Sequence, residues 1–186
     1  MTLLIKNGTV VSPTGAFAAD VLVDGESIVG LLQPGATLAG VDLAASAERV
    51  IDATGKYVVP GGIDVHTHMQ LPFGGTEASD TFESGTRAAA WGGTTTIVDF
   101  AVQRQGESVL DGLAAWHAKA EGKCAIDYAF HQIIGGVDEA SLEAIAHLTE
   151  HEGITSFKLF MAYPGVFYSV DGQPVPAVRP IRCITG

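Results

Sequence analysis

The chain has 186 residues, 47% of them hydrophobic, a mean hydropathy of +0.28 and a formal net charge of -11. That length allows one or two domains and that apolar share builds a real core, which argues against a disordered chain. The excess of acid, with no cluster among the lysines and arginines, argues against a nucleic-acid partner or an acidic membrane surface, both of which need a basic patch.

At the N-terminus, "MTLLIKNGTV" meets Lys6 and an Asn-Gly pair before a signal-peptide core could form. No run reaches the ~18 to 20 apolar residues of a membrane span. Cys124 and Cys183 form neither a dense framework nor a CxxC pair, so free thiols in a reducing compartment are expected. The expectation is a cytoplasmic protein with no membrane partner. Short β-type runs then alternate with glycine turns: "TLLIKNGTVVS", "ADVLVDGESIVGLLQ" and "RVIDATGKYVVPG", with Asn7-Gly8 and Asp24-Gly25 as hairpin-type turns. They predict a small all-β unit over residues 1–58.

From Gly61 the rhythm changes. Strand-like "GGIDVHTH", "TTTIVDFAV", "AIDYAFHQII" and "ITSFKLFMA" are separated by helix-like "SDTFESGTRAAAWGG", "ESVLDGLAAWHAKAEG" and "DEASLEAIAHLTEHEG". Strands alternating with helices predict parallel βα units, an α/β architecture. The third helix takes Asp138 or Ser141 as its cap, Gly153 as its stop, and Leu142, Ile145, Ala146 and Leu148 as its apolar face. No internal repeat or low-complexity segment occurs.

In a parallel α/β barrel the chemistry sits at the carboxyl ends of the strands. His66 and His68 fall at that end of the first barrel strand, and residues at i and i+2 share a strand face, so both imidazoles can converge on one metal ion. Taken alone, the HxH pair is balanced between metal ligation and solvated loop histidines. Asp64, two residues before His66 and on the same side by alternation, is placed to orient a ligand histidine. Lys158 interrupts the apolar run of the fourth strand near its carboxyl end. Lysine is rarely buried unless snorkelled or paired, yet an amine that adds carbon dioxide becomes a carbamate able to bridge two metal ions. His117, His147 and His151 fall on or at the ends of helices, away from that site. His131 reads as a satisfied core histidine of the third strand, and Asp99, at the end of the second, is open between structural and functional roles.

"GGIDVHTHMQLPFGGTEASDTFESGTRAAAWGGTTTIVDFA" followed by "SFKLFMAYPG" resembles the dihydropyrimidinase and D-hydantoinase branch of the cyclic amidohydrolases, over residues 2 to 169. The stretch after HxH begins Met69-Gln70 rather than with the arginine of dihydroorotases, so an acidic substrate is disfavoured. The resemblance implies a zinc-dependent (β/α)8 TIM-barrel hydrolase beside a β-sandwich built from both chain ends. It also implies His66 and His68 on one zinc, carboxylated Lys158 bridging two zincs, and Tyr163 donating to the oxyanion on the ring carbonyl. The reaction implied is ring opening of 5,6-dihydropyrimidines or hydantoins to N-carbamoyl amino acids, by cytoplasmic enzymes that are homotetramers when intact.

The barrel is expected to be incomplete, with its first half over residues 59–169 and an atypical tail over 170–186. "PVPAVRPIRCITG" carries three prolines where the family continues into a helix. A frameshift or premature end in the gene is the hypothesis for that tail, and a truncated, inactive form of the enzyme is the expectation for the chain. The alternatives are a non-catalytic fragment that associates with another chain of the family, and an unrelated α/β binding protein with an accidental HxH.

Overall fold

A computed structural model describes residues 2–38, 40–104 and 106–160. The chain divides into two compact units, Met1–Pro60 and a second that begins at Gly61. Among the described residues, no helix is long and apolar enough to cross a membrane.

The first unit runs β1 (Thr2–Ser12), β2 (Gly15–Asp24), β3 (Ser27–Leu32), β4 (Thr37–Leu38), β5 (Val41–Asp42), α1 (Leu43–Ser46), β6 (Arg49–Asp52) and β7 (Tyr57–Val58). Its main sheet has the order β3-β2-β1-β6, with β7 also paired to β1. Val10, Ala19 and Val21 form its small core, with Ile5, Val23 and Val58 against them. Asp24-Gly25 makes the expected turn between β2 and β3, with Gly25 at φ 58. Asn7-Gly8 does not make a turn. It is a bulge inside the continuous strand β1, where the register with β2 slips between Ile5 and Gly8. Asparagine tolerates the left-handed φ of 63 found at Asn7, and its amide is held by Asp20 Oδ1 at 2.7 Å. Gly8 is required for space, since a Cβ there would lie 2.5 Å from Val58 Cγ2.

The second unit runs β8 (Gly62–Thr67), a short hairpin of β9 (Pro72–Phe73) and β10 (Thr76–Glu77), α2 (Phe82–Trp91), β11 (Thr94–Val102), α3 (Val109–Ala120), β12 (Asp127–Ile133), α4 (Glu139–His151) and β13 (Phe157–Lys158). β8, β11, β12 and β13 form one parallel sheet in the order β13-β12-β11-β8. This is half the strand complement of an eight-stranded barrel. Each of these three helices starts on a polar cap: Thr81 with Ser84 in a capping box, Ser108 on the Asp111 amide, and Asp138 on the Ser141 amide.

Ile97 and Ala101 of β11 and Phe130 of β12 pack with Phe82, Leu113, Trp116 and Leu148 of the helices in one core. Burying each of the large side chains contributes about 1.5–3 kcal/mol. The apolar face of α4 differs from the one the periodicity predicts. Leu148 is fully buried and Ile145 and Ala144 pack on the core, but Leu142 is 58% exposed and Ala146 is exposed as well. Ser141, buried at 3%, takes the inward position because its hydroxyl bonds Gly136 O and Asp138 Oδ1.

Candidate metal centre

Alternation along β11 and β12 sorts their side chains into two sets. Ile97, Asp99 and Ala101 face the helices, while Phe100 takes the opposite face, where it is paired in register with His131. Thr67 lies opposite Asp99, so its neighbours His66 and His68 are turned to the face of Phe100. The rings confirm it: the His66 and His68 centroids are 5.1 Å apart, and they lie 4.8 and 5.0 Å from that of Phe100.

Lys158 reaches the same place from β13. Its strand is held to β12 by the Ile133 register and by Ile134 N donating to Lys158 O at 3.0 Å. The ammonium lies 4.2 Å from the Phe100 ring centroid and 5.1 Å from that of Phe160, and no acidic partner is within ion-pair distance among the described residues. Burial among these rings pushes its pKa below the ordinary lysine value. His68 is also pushed down, first by burial and then by the Lys158 charge, with Asp99 acting against both. The neutral forms of an amine and an imidazole are the ones that carbamate formation and metal ligation use.

His66, His68 and Lys158 line one open cavity of about 570 Å³, together with Leu71, Phe73 and Phe160. Its wall includes the β9–β10 hairpin, which the sequence reading did not anticipate. His68 Nδ1 is buried and makes no hydrogen bond among the described residues. Two imidazoles and an amine facing one cavity, one imidazole nitrogen unspent, fit part of a metal site. Among the described residues, no three His, Cys, Asp or Glu side chains gather around a common point, so Lys158 is the third group of this set.

Asp64 differs from its expected place. The β8–β11 register slips between Asp64 and Thr67, which interrupts the alternation that would put Asp64 on the side of His66. Its Oδ1 instead accepts from the His66 backbone amide at 3.1 Å, so it acts on the main chain of that residue. His131 is a satisfied histidine: Nε2 donates to Val65 O at 2.9 Å and Nδ1 bonds the Ser156 hydroxyl. His117 packs edge-on against Phe130, and the His147 and His151 rings meet at a tilt on α4 beside Glu152 and Glu150, away from the cavity. Tyr163, Cys183 and the atypical tail lie outside the described residues.

Asp99 resolves to a definite position. It is fully buried, and its carboxylate accepts from Thr67 Oγ1 at 2.9 Å, Met69 N at 2.7 Å, Phe100 N at 2.8 Å and Trp116 Nε1 at 3.1 Å. Hydrogen bonds to a charged group contribute about 1.5–3 kcal/mol each, which is how a buried anion is tolerated here. An acid inside the strand, following Ile97 and Val98 and preceding Phe100 in "TTTIVDFAV", was the available signal for this residue.

A sequence profile described as the Amidohydrolase family matches residues 57–175. A D-hydantoinase of Streptomyces coelicolor is 57% identical over 176 residues, covering 95% of this chain and 37% of that protein. The dihydropyrimidinase of Rattus norvegicus is 40% identical, covering 92% of this chain and 32% of that protein. The solved structure of dihydropyrimidinase from Brevibacillus agri superposes with a TM-score of 0.82 at 48% identity, covering 93% of this chain and 36% of its own. The chain therefore spans about a third of the length of the relatives it matches, and its four parallel strands are an incomplete barrel of their kind. By profile, relatives and fold alike, the chain belongs to the amidohydrolase family.

Proposed function

We propose that this chain carries the first part of the metal site of a cyclic-amide hydrolase that opens hydantoins or 5,6-dihydropyrimidines to N-carbamoyl amino acids. The observation that carries the reading is the convergence of His66, His68 and Lys158 on one aromatic-walled cavity. In it, His66, His68 and the carbamate of Lys158 would hold the zinc ions, and Tyr163 would donate a hydrogen bond to the carbonyl oxygen as charge develops there. Metals held there would supply Lewis acidity and an activated water.

The chain's own residues prepare that chemistry. Burial lowers the Lys158 pKa toward the neutral, carbon-dioxide-reactive form, against the attraction of the Phe100 and Phe160 ring faces for its charged form. Leu71 and Phe73 give the cavity an apolar side against which a flat, uncharged ring can lie. Asp64 fixes the main chain of His66. A homotetrameric, cytoplasmic enzyme is part of the same reading. Two imidazoles and one lysine are fewer ligands than two ions with an open position need, so the 186-residue chain by itself is proposed to be inactive.

The test is incubation with isotope-labelled bicarbonate and zinc, followed by carbon NMR. A carbamate signal that disappears in Lys158→Gln is expected. A protein that takes up zinc with Lys158 unmodified would contradict the bridging role.

A second reading, a non-catalytic chain that associates with another member of the family, draws on the edge strand β8, where Ile63 and Val65 are 65% and 57% exposed. Activity that arises on co-expression with a full-length relative, and exceeds that of the relative alone, would favour it.

A further inference from the structure

We infer that Asp99, Trp116 and Lys119 form a positioning device that holds the His66-Thr67-His68 strand end from behind, on the face of the sheet opposite the cavity. The inference rests on the proposed metal role of the two histidines and adds residues to it.

Three elements meet at Asp99. It stands on β11, takes the Thr67 hydroxyl and the Met69 amide on either side of His68, and takes the Trp116 indole from α3. Both oxygens are engaged, Oδ2 by the histidine segment and Oδ1 by Trp116 and the Phe100 amide. The carboxylate can therefore turn only by breaking bonds on both sides.

Lys119 lies three residues beyond Trp116 on α3 and continues the device. Its ammonium lies 3.9 Å from the Trp116 ring centroid and donates to Gln70 O at 2.9 Å. Gln70 sits at φ 49, a conformation that side chains other than glycine adopt rarely, and its amide is held by Asp80 O at 2.8 Å. Thr67, Met69 and Gln70 are thus tied to α3 and β11 while His66 and His68 face the other way. A side chain on a strand end leaves along a direction set by its backbone, so fixing residues 67, 69 and 70 fixes the direction in which the His68 side chain leaves the strand. The Asp99 carboxylate also places a negative charge behind a cluster of groups that would bind cations. None of these three residues lines the cavity, so they act through the histidines.

The test uses the 186-residue chain with Lys119→Gln, Asp99→Asn and Lys119→Arg, and two readouts: cobalt(II) affinity from its visible absorption, and amide hydrogen exchange. Lys119→Gln and Asp99→Asn are expected to weaken cobalt binding by about 10- to 100-fold, the usual cost of losing an outer support of a metal ligand. In Asp99→Asn the Met69 amide is expected to exchange about tenfold faster, as for one lost charge-assisted hydrogen bond. Lys119→Arg, which keeps a cationic donor, is expected to retain affinity close to the parent. Parent-like affinity and exchange in both Lys119→Gln and Asp99→Asn would overturn the inference. So would uniformly faster exchange across β11 and α3 that Lys119→Arg fails to restore, since that marks a purely structural role. If the parent takes up no cobalt, the metal reading fails, and the Met69 exchange alone then decides for or against the positioning device.

Discussion

Lys158 is held by rings rather than by an acid, and this decides what its amine can do. A lysine paired with a carboxylate stays charged, whereas desolvation lowers the pKa of Lys158 toward the neutral form. Lys158→Ala is expected to lower zinc affinity at least as far as the about 10- to 100-fold typical of an outer-sphere change, measured by competition with a chromogenic chelator. Trp116→Phe removes one donor from Asp99 and leaves a buried carboxylate oxygen with a single partner. It should cost about 1–3 kcal/mol in urea unfolding, and an unchanged midpoint would contradict the role given to that bond. The convergence of Lys158, His66 and His68 on one cavity was legible in the sequence because each breaks the chemistry of an apolar strand at its end. Asp99, Phe100 and Lys119 were not, because their roles depend on which strand positions lie opposite one another. The backbone route by which Asp64 reaches His66 was hidden for the same reason, since spacing cannot show a register slip.

At the level of elements, caps and close packing explain where the helices lie. α3 approaches β11 through Gly112, where a Cβ would come within 2.7 Å of Val102 O. Gly112→Ala should therefore destabilise the protein by about 1–3 kcal/mol through displacement of α3, despite alanine's better helix propensity. A stabilised variant would show that this helix can move freely. The cap of α4 makes a pH prediction. Hydrogen bonds from the Ser141 amide and hydroxyl hold the Asp138 carboxyl below its ordinary value of 3.8. As pH falls through that value the unfolded chain takes up the proton first, so this contribution is present above about pH 4 and lost as the folded group protonates below it. Ser141 amide exchange, corrected for its intrinsic pH dependence, should accelerate over that range, and Asp138→Asn should remove the acceleration. The four barrel strands and three long helices were readable from alternation, caps and glycine stops. The hairpins at β4–β5 and β9–β10 were not, since two-residue strands carry no periodicity.

At the scale of the whole molecule, the described residues present half a barrel's strands, an edge strand with Ile63 and Val65 exposed, and a metal-ligand set smaller than a two-metal site uses. Its relatives named as D-hydantoinases and dihydropyrimidinases are about three times as long. The central claim is that this chain supplies the His66, His68 and Lys158 portion of a working cyclic-amide hydrolase. It is tested most directly by a ring-opening assay on hydantoin and dihydrouracil, with zinc and bicarbonate. The proteins compared are the 186-residue chain, the same chain joined to the remaining length of the Streptomyces coelicolor D-hydantoinase, and the joined protein carrying His66→Ala. The predicted result is no turnover by the chain alone, turnover by the joined protein, and its loss in His66→Ala. A joined protein that folds and takes up zinc yet leaves both rings intact, or one whose turnover survives His66→Ala, would contradict the claim.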